Sequence, residues 1–520
     1  MRPIDYFDSA VEGNANRLAI VDGHTQLSFA ELSHLVDSIA RPLAALAPPE
    51  RPIRVGILSP NDYRVIACTL AAMKVGHAVV PMHARNSSEE LCDRMRSTSP
   101  DCVFYHSQFS DRIDAFEAAL DRAARWVCID SAADTRHSLA RFISEGRGEV
   151  ADWGGVREDS YRPVYIRQTS GTTGGPKLVI DDIHSFNASQ RVLRQVLRAQ
   201  PESVFCASFP LSHACGVFAF SMLTSGASVV LASEFEVVPT MRMIESHRVS
   251  HMWMPPTALA LFLDGIAASH GRFKMSSLVS LVLGAAAVSP SLLRRAIVEL
   301  GPCVSTNYSQ IESGFLTWLD AETIGRAVQG DHPERLASSG RSLGVGRIGI
   351  MDDRGRLLTA NAEGEVVVRG ASVKDYVSVQ DTENARGFGW HHTGDLGYVD
   401  EDGFLYISGR LKDVIIVGGF KVSASEVESV LMELREVLEC AVVAMPDAYR
   451  GEVPVAVVVM RTGCAHEDSA ILRHCRQRLG VAKSPRGVEY WSELPKTAVG
   501  KVDKRAIVSK LAEARQLACE

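Results

Sequence analysis

Among the eleven cysteines there is no Cys-x-x-Cys pair, and their number is odd. A zinc ribbon is thereby excluded and a disulfide framework disfavoured, which leaves a reducing, cytoplasmic setting as the expectation. No long basic run is present: 55 basic residues face 62 acidic ones, for a formal charge of -7. Neither nucleic acid nor an anionic membrane is expected as a partner. The chain also lacks the common G-x-x-x-x-G-K-S/T nucleotide loop, any internal repeat and any low-complexity tract. Met1-Arg2-Pro3-Ile4-Asp5 carries charges where a signal peptide needs an apolar run. Permanent charge is missing altogether from Phe205 to Ala232, a stretch long enough to span a bilayer. Pro210, His213, Gly216 and Gly226 interrupt it, so a strand, turn, helix and strand inside a large core are expected instead.

What is present points to several domains. With 520 residues and about 100–200 per domain, two to four domains or subdomains are expected. The first third alternates buried-strand and helix patterns. Arg54-Val55-Gly56-Ile57-Leu58 reads as a strand, Val65 to Lys74 as a helix, and Gly76 to Pro81 as a turn and strand. Cys102–Tyr105 and Trp126–Ile129 continue the series, the order of a helix-covered parallel sheet. Between Ser131 and Tyr161 the sequence reads as a polar surface connection. From Gly346 to Gly409 short apolar segments alternate with turn signals, Asp352-Asp353-Arg354-Gly355 and Asp400-Glu401-Asp402-Gly403, as in a small β subdomain. A compact last segment follows. The expected class is therefore α/β: a large N-terminal domain of helix-covered sheets (1–409, with a small β subdomain at about 346–409), then a small α+β C-terminal domain.

The sharpest local motif is Thr169-Ser170-Gly171-Thr172-Thr173-Gly174-Gly175-Pro176-Lys177. Glycines let backbone N–H groups approach an anion, and four hydroxyls and one ammonium add donors suited to phosphate oxygens. Further along stand Gly284-Ala285-Ala286, Asn307-Tyr308-Ser309-Gln310-Ile311-Glu312, Thr393-Gly394-Asp395, Gly409-Arg410-Leu411-Lys412-Asp413, Gly418-Gly419-Phe420-Lys421-Val422 and Pro495-Lys496-Thr497-Ala498-Val499-Gly500-Lys501. Each is weak alone. In this order, from Leu27-Ser28-Phe29-Ala30-Glu31-Leu32 to Lys504, they resemble the superfamily of acyl-CoA synthetases, peptide-synthetase adenylation domains and beetle luciferases.

The resemblance implies a reaction in two halves: a carboxylate attacks the α-phosphate of ATP, and a thiol then displaces AMP from the acyl-AMP. Thr169 to Gly174 and Lys177 would hold the outer phosphates, and Glu312 would bind magnesium. Tyr308, Gly284, Ala285, Asn307 and Ile407 would surround the adenine, while Asp395 and Arg410 would contact the ribose and phosphate. Lys501 would neutralise charge during adenylation. Lys412 falls at the family's hinge, expected at 410–413, about which a mobile C-terminal domain (414–520) would rotate. Rotation would withdraw Lys501 and bring Gly418, Gly419 and Phe420 to coenzyme A. His213 would stand beside the acyl group, and Cys215, Val217, Phe218 and Phe315, with Ser309 and Gln310 as polar members, would line its pocket. These mostly apolar residues suit an aryl, fatty or terpenoid-like acid. Pro210 stands where amino-acid-activating relatives place an aspartate, which disfavours an amino acid.

Two positions depart from the family pattern. Ile311 replaces the threonine that usually precedes the magnesium glutamate, and Leu178 replaces the glycine that follows the loop lysine. Isoleucine cannot donate a hydrogen bond, and a bulky Leu178 is expected to restrict loop closure. Both changes fall on the ATP side, so the alternative is a ligase that has kept thioester formation and weakened adenylation. Coenzyme A is the expected acceptor, with a separate carrier protein as the other choice; a homodimer is left open. An oxidising relative and a nucleotide-binding protein without chemistry are the readings from other classes.

Overall fold

The computed structural model describes residues 1–47, 51–130, 138–146, 161–169, 177–447, 449–461, 463–464, 467–496 and 502–517. Its large unit is built on two helix-covered sheets. In a seven-stranded sheet, Arg54–Ser59, Ala78–His83, Cys102–Tyr105 and Arg125–Cys128 run parallel. In a nine-stranded sheet, Val204–Ala207, Ser228–Leu231, His251–Met254, Ser280–Leu283 and Val304–Gln310 run parallel, and Gly314–Leu319 returns antiparallel. The central strands are apolar throughout because helices cover both of their faces; every residue of Cys102–Tyr105 and His251–Met254 is buried.

The uncharged stretch folds as expected, into strand Val204–Ala207, helix Ala214–Leu223 and strand Ser228–Leu231. Among the described residues no helix is long and apolar enough to cross a membrane. The polar connection before Tyr161 holds a helix, Leu139–Glu145, that the sequence reading passed over. Its Phe142 is buried edge-on against Phe104, 5.6 Å between ring centres. The Leu27–Leu32 motif is a capping box: the Ser28 backbone N–H donates to Glu31 at 2.7 Å and the Glu31 N–H to Ser28 Oγ at 3.2 Å. Such a cap stabilises the start of helix Phe29–Ala44 by about 1 kcal/mol.

Asn61, just past the end of strand Arg54–Ser59, fastens the two sheets together. Its amide nitrogen lies within hydrogen-bond reach of the carbonyls of Ala207, Phe209 and Ala232, at 2.9–3.2 Å, and its oxygen accepts from the Leu211 N–H at 2.9 Å. The chain that carries Phe209 to His213 is thereby held against the end of the first sheet.

A smaller sheet follows, from Gly346–Met351, Gly364–Gly370, Trp390–Val399 and Leu405–Arg410 with a short edge strand. Its Asp-x-x-Gly turns close by Gly355 N–H to Asp352 O and Gly403 N–H to Asp400 O, both 3.1 Å. After a 3-10 turn at Leu411–Asp413 the chain enters a separate five-stranded sheet with helices Ala424–Leu431, Asp468–Lys483 and Lys504–Leu517. This last unit meets the large one through Asp264, which accepts from Arg295 at 2.7 Å and from Arg461 across the boundary.

Burial pushes His77, His83 and His391 down from the usual 6.5 to about 4. Between those values the unfolded chain binds protons that the folded one refuses, so stability rises with pH there and is lost as the pH falls. A full shift of this size is worth about 3 kcal/mol per buried histidine. Denaturant titrations from pH 7 to 4.5 should show a steep acid loss that His77→Gln and His391→Gln each make shallower. An unaltered slope in both variants contradicts the assignment.

Candidate active site

The carboxyl ends of both parallel sheets open into one cleft of about 2920 Å³, which the last unit borders on its far side. Open α/β sheets bind ligands at such strand ends, where loops leave and side chains converge. Asp395, only 4% exposed, lines the cleft. Oδ2 accepts from the Tyr308 hydroxyl at 2.6 Å and from Gln310 Nε2 at 2.7 Å, and Oδ1 accepts from Arg410 Nε at 3.0 Å. Burial, and then the Asp395 charge, push the Tyr308 phenol well above its ordinary value, so it remains a donor. Thr393, Gly394 and Asp395 lie within strand Trp390–Val399, where Gly394 has positive φ and Thr393 Oγ1 donates to Val366 O at 2.6 Å while accepting from the Asp395 N–H at 3.1 Å.

Strand Val304–Gln310 places Asn307, Tyr308, Ser309 and Gln310 along the same wall, followed by Ile311 and Glu312. Asn307 donates to Leu283 O at 3.2 Å, while its buried Oδ1 has no partner among the described residues. An unpaired buried acceptor fits an amino group such as that of adenine. Ala285 and Ile407 line the cleft as expected. Gly284 does not; a Cβ there would come within 2.8 Å of Trp253 Nε1, so its small size serves the indole. Gln310, expected beside the acyl group, spends its amide on Asp395 and on Thr393 O at 3.1 Å.

Glu312 borders the cleft and makes no ion pair among the described residues. One free carboxylate, without a cluster of protein ligands, fits magnesium that takes its other ligands from phosphate and water. Behind it Lys374 is buried with its ammonium 3.1 Å from Asp181, and its backbone N–H donates to Glu312 O at 2.8 Å. The neck of the hydroxyl-rich loop is pinned by Thr169 N–H to Lys177 O at 2.8 Å and Lys177 N–H to Thr169 Oγ1 at 3.2 Å. Lys177 Nζ pairs with Asp381 at 2.9 Å. Ser170, Gly171, Thr172, Thr173 and Gly174 lie outside the described residues, as does Lys501. The flanks of Lys501, Lys496 and Val502, border the cleft.

The expected acyl lining is only partly at the cleft. His213 and Ser309 reach it, but Cys215, Val217, Phe218 and Phe315 are core residues. Phe218 packs edge-on against Phe315 with ring centres 5.6 Å apart, and stacks with Trp253 at 6.5 Å. Helix Ala214–Leu223 is apolar on every side because it is buried on every side, so composition could not tell cavity from core. Leu178 is half-buried and packs against the core of the first sheet, while the loop that it is expected to restrict lies outside the described residues. Ile311 does line the cleft.

Lys412 and the 3-10 turn around it are exposed at the boundary of the two sheets. Gly418 and Gly419 both have positive φ, forming a two-residue hairpin turn, and Phe420 is 67% exposed. None of the three lines the cleft in this arrangement. Residues that sequence reasoning missed are Ser59, Asn61, His83 and Trp253, all on the cleft wall. The signal available for Ser59, Asn61 and His83 was position, since each lies at or just past the carboxyl end of an expected parallel strand.

Comparison with known proteins places this geometry. The description "AMP-binding enzyme" matches residues 7–375, and "AMP-binding enzyme C-terminal domain" matches residues 426–501. The medium/long-chain-fatty-acid–CoA ligase FadD8 of Mycobacterium tuberculosis is 30% identical, over 97% of this chain and 89% of its own. The indoleacetate–CoA ligase of Aromatoleum aromaticum is 28% identical over 92% of each chain. The solved structure of the amide bond synthetase McbA from Marinactinospora thermotolerans superposes with a TM-score of 0.85 at 27% identity, covering 97% of this chain and 99% of that one.

Asp395→Asn removes the charge that holds Arg410, and a hydrogen bond to a charged group is worth about 1.5–3 kcal/mol. The unfolding midpoint should fall accordingly, and trypsin should cleave after Arg410 and Lys412 severalfold faster under native conditions. Unchanged proteolysis would show that the carboxylate does not restrain this turn.

Proposed function

The chain belongs to the AMP-binding enzyme family, and from that premise we propose that it activates a carboxylic acid with ATP as an acyl-AMP and transfers the acyl group to coenzyme A. Its family is ATP-dependent and AMP-forming. The observation that carries the reading is the convergence of Asp395, Tyr308, Asn307 and Glu312 on one cleft that the last unit borders. Asn307 would accept from the adenine amino group, and Asp395 would hold the ribose hydroxyls. Glu312 would hold magnesium, which supplies charge neutralisation between the phosphates. Thr169 to Lys177 would enclose the outer phosphates.

Lys501 is proposed as the residue that orients the attacking carboxylate and offsets charge at the α-phosphate. Its described neighbours already border the cleft, whereas Gly418 to Phe420 stand away from it. This arrangement suits the first half-reaction; a rotation about 410–413 would be required to bring the glycine hairpin to a pantetheine thiol. The acid class expected from the sequence is kept in its aryl branch, because the apolar side chains that would have housed a long aliphatic tail are packed into the core. The acceptor assignment rests on the CoA ligase relatives; a carrier protein remains the alternative.

A second reading is favoured by one position. Ile311 lines the cleft where a hydroxyl would meet the α-phosphate, so adenylation is weakened while thioester formation persists. ATP–pyrophosphate exchange over a panel of aryl and aliphatic acids tests both. Wild-type exchange that is cut by about 10²–10³ in Lys501→Ala and unchanged in Ile311→Thr supports the two-step ligase and removes the second reading. Exchange that rises by about tenfold to a hundredfold in Ile311→Thr supports weakened adenylation. No exchange in either, together with no thioester from a supplied acyl-AMP and coenzyme A, would leave a binding protein.

A further inference from the structure

At the carboxyl ends of two neighbouring parallel strands, Ser59 and His83 are direct register partners, and both line the cleft. His213 stacks on His83 with ring centres 4.8 Å apart and planes 24° from parallel. The two imidazoles thus present a flat wall beside the position expected for the acyl group. We infer that Ser59 and His83 form a recognition corner for a planar aryl or heteroaryl acid bearing a neutral hydrogen-bond acceptor such as a hydroxyl or carbonyl. The inference rests on the acyl-activating reading of this cleft and narrows its substrate.

Three features carry it. His83 Nδ1 accepts the Arg85 backbone N–H at 3.0 Å. A neutral ring therefore keeps its proton on Nε2, which becomes a donor. Burial, reinforced by the Arg85 charge, keeps that ring neutral at physiological pH. Second, Ser59 Oγ is buried without a hydrogen-bond partner among the described residues, although its residue borders the cleft. Buried hydroxyls are rarely left unpaired, and because its residue borders the cleft a change of χ1 rotamer would turn this one towards a ligand acceptor. Third, the apolar side chains expected to line the acyl pocket are taken up in the core, Phe218 packing on both Trp253 and Phe315.

The acceptor is neutral because the cation two residues beyond His83 is already engaged: Arg85 is paired with Glu234 at 2.9 Å. A dicarboxylic acid would place its second charge against a neutral imidazole and a hydroxyl, with nothing to balance it.

The test uses acylsulfamoyl adenosines, unreactive mimics of an acyl-AMP, titrated calorimetrically into the full chain so that the outcome does not depend on adenylation. The probes are the benzoyl, the ortho-, meta- and para-hydroxybenzoyl and the decanoyl compounds. At least one hydroxybenzoyl isomer should bind about tenfold tighter than benzoyl. That ratio, read within each variant so that any general loss cancels, should collapse towards one in Ser59→Ala and in His83→Phe. His83→Asn, which keeps a donor, should retain part of it. Decanoyl binding tightest, or a ratio unchanged in both Ser59→Ala and His83→Phe, overturns the corner but leaves acyl-adenylate binding standing. Binding of no mimic overturns the acyl-activating reading as well.

Discussion

One buried carboxylate ties together the three parts of this protein that must act at once. Asp395 comes from the small β sheet, Tyr308 and Gln310 from the last parallel strand of the large sheet, and Arg410 from the residue that opens the passage to the final unit. A carboxylate only 4% exposed is tolerated only when its lone pairs are satisfied, and here three donors share it. The cost of burying the charge therefore fixes the relative position of the elements that supply the donors. Any group that hydrogen-bonds to Asp395 enters a position already set to within hydrogen-bond tolerance, which is the condition for preorganised catalysis.

The cleft inherits its composition from the same geometry. Parallel strands present their carboxyl ends together, and each end carries a loop whose side chains face inward. Ser59, His83, Trp253, Ala285 and Asn307 come from five such ends in two sheets, and Asn61 holds the sheets in register with one amide. The final unit adds Lys496 and Val502 from one of its sides. Its glycine hairpin, with Phe420 exposed, belongs to another. A single cleft that faces one side of a unit joined through the Leu411–Asp413 turn presents only that side to whatever binds there.

The sequence was most readable where backbone chemistry is local. The parallel strands of the first third and the Asp-x-x-Gly turns follow from local patterns and fold as read. Side-chain direction was least readable. Phe218 and Phe315 sit in segments where every neighbour is apolar, so no periodicity separates a residue facing core from one facing a cavity. Leu178 is half-buried on the less buried face of its strand, whose buried positions are Val179 and Asp181. Gln310 was misplaced for another reason: its partner Asp395 lies 85 residues further on. His83 and Ser59 were passed over because a lone polar residue at a strand end carries no motif. Ser170 to Gly174 and Lys501 lie outside the described residues, so their expected roles rest on the resemblance alone.

The distribution of charge around the cleft sets how a polyanion could bind there. Lys177 faces Asp381, Lys374 faces Asp181, and Arg410 faces Asp395. Each cation is thus oriented in advance, with little side-chain freedom left to lose when a phosphate arrives. Each carboxylate also competes for the same donors, so the pairing lowers the affinity it prepares. The balance differs among the three. Asp181 and Lys374 are both buried, and solvent cannot stand in for either partner, so this pair is structural and holds the backbone beside Glu312. Lys177 and Asp381 are each about a third exposed on the side chain, where water weakens the attraction and exchange for phosphate costs little. The Arg410 side chain is half-buried while that of Asp395 is buried, so solvent can stand in for the carboxylate at the arginine but not for the arginine at the carboxylate. The order of exposure therefore implies an order of exchange: a fixed pair behind Glu312, an exchangeable pair at the neck of the hydroxyl-rich loop, and a partly exposed arginine beside the Leu411–Asp413 turn.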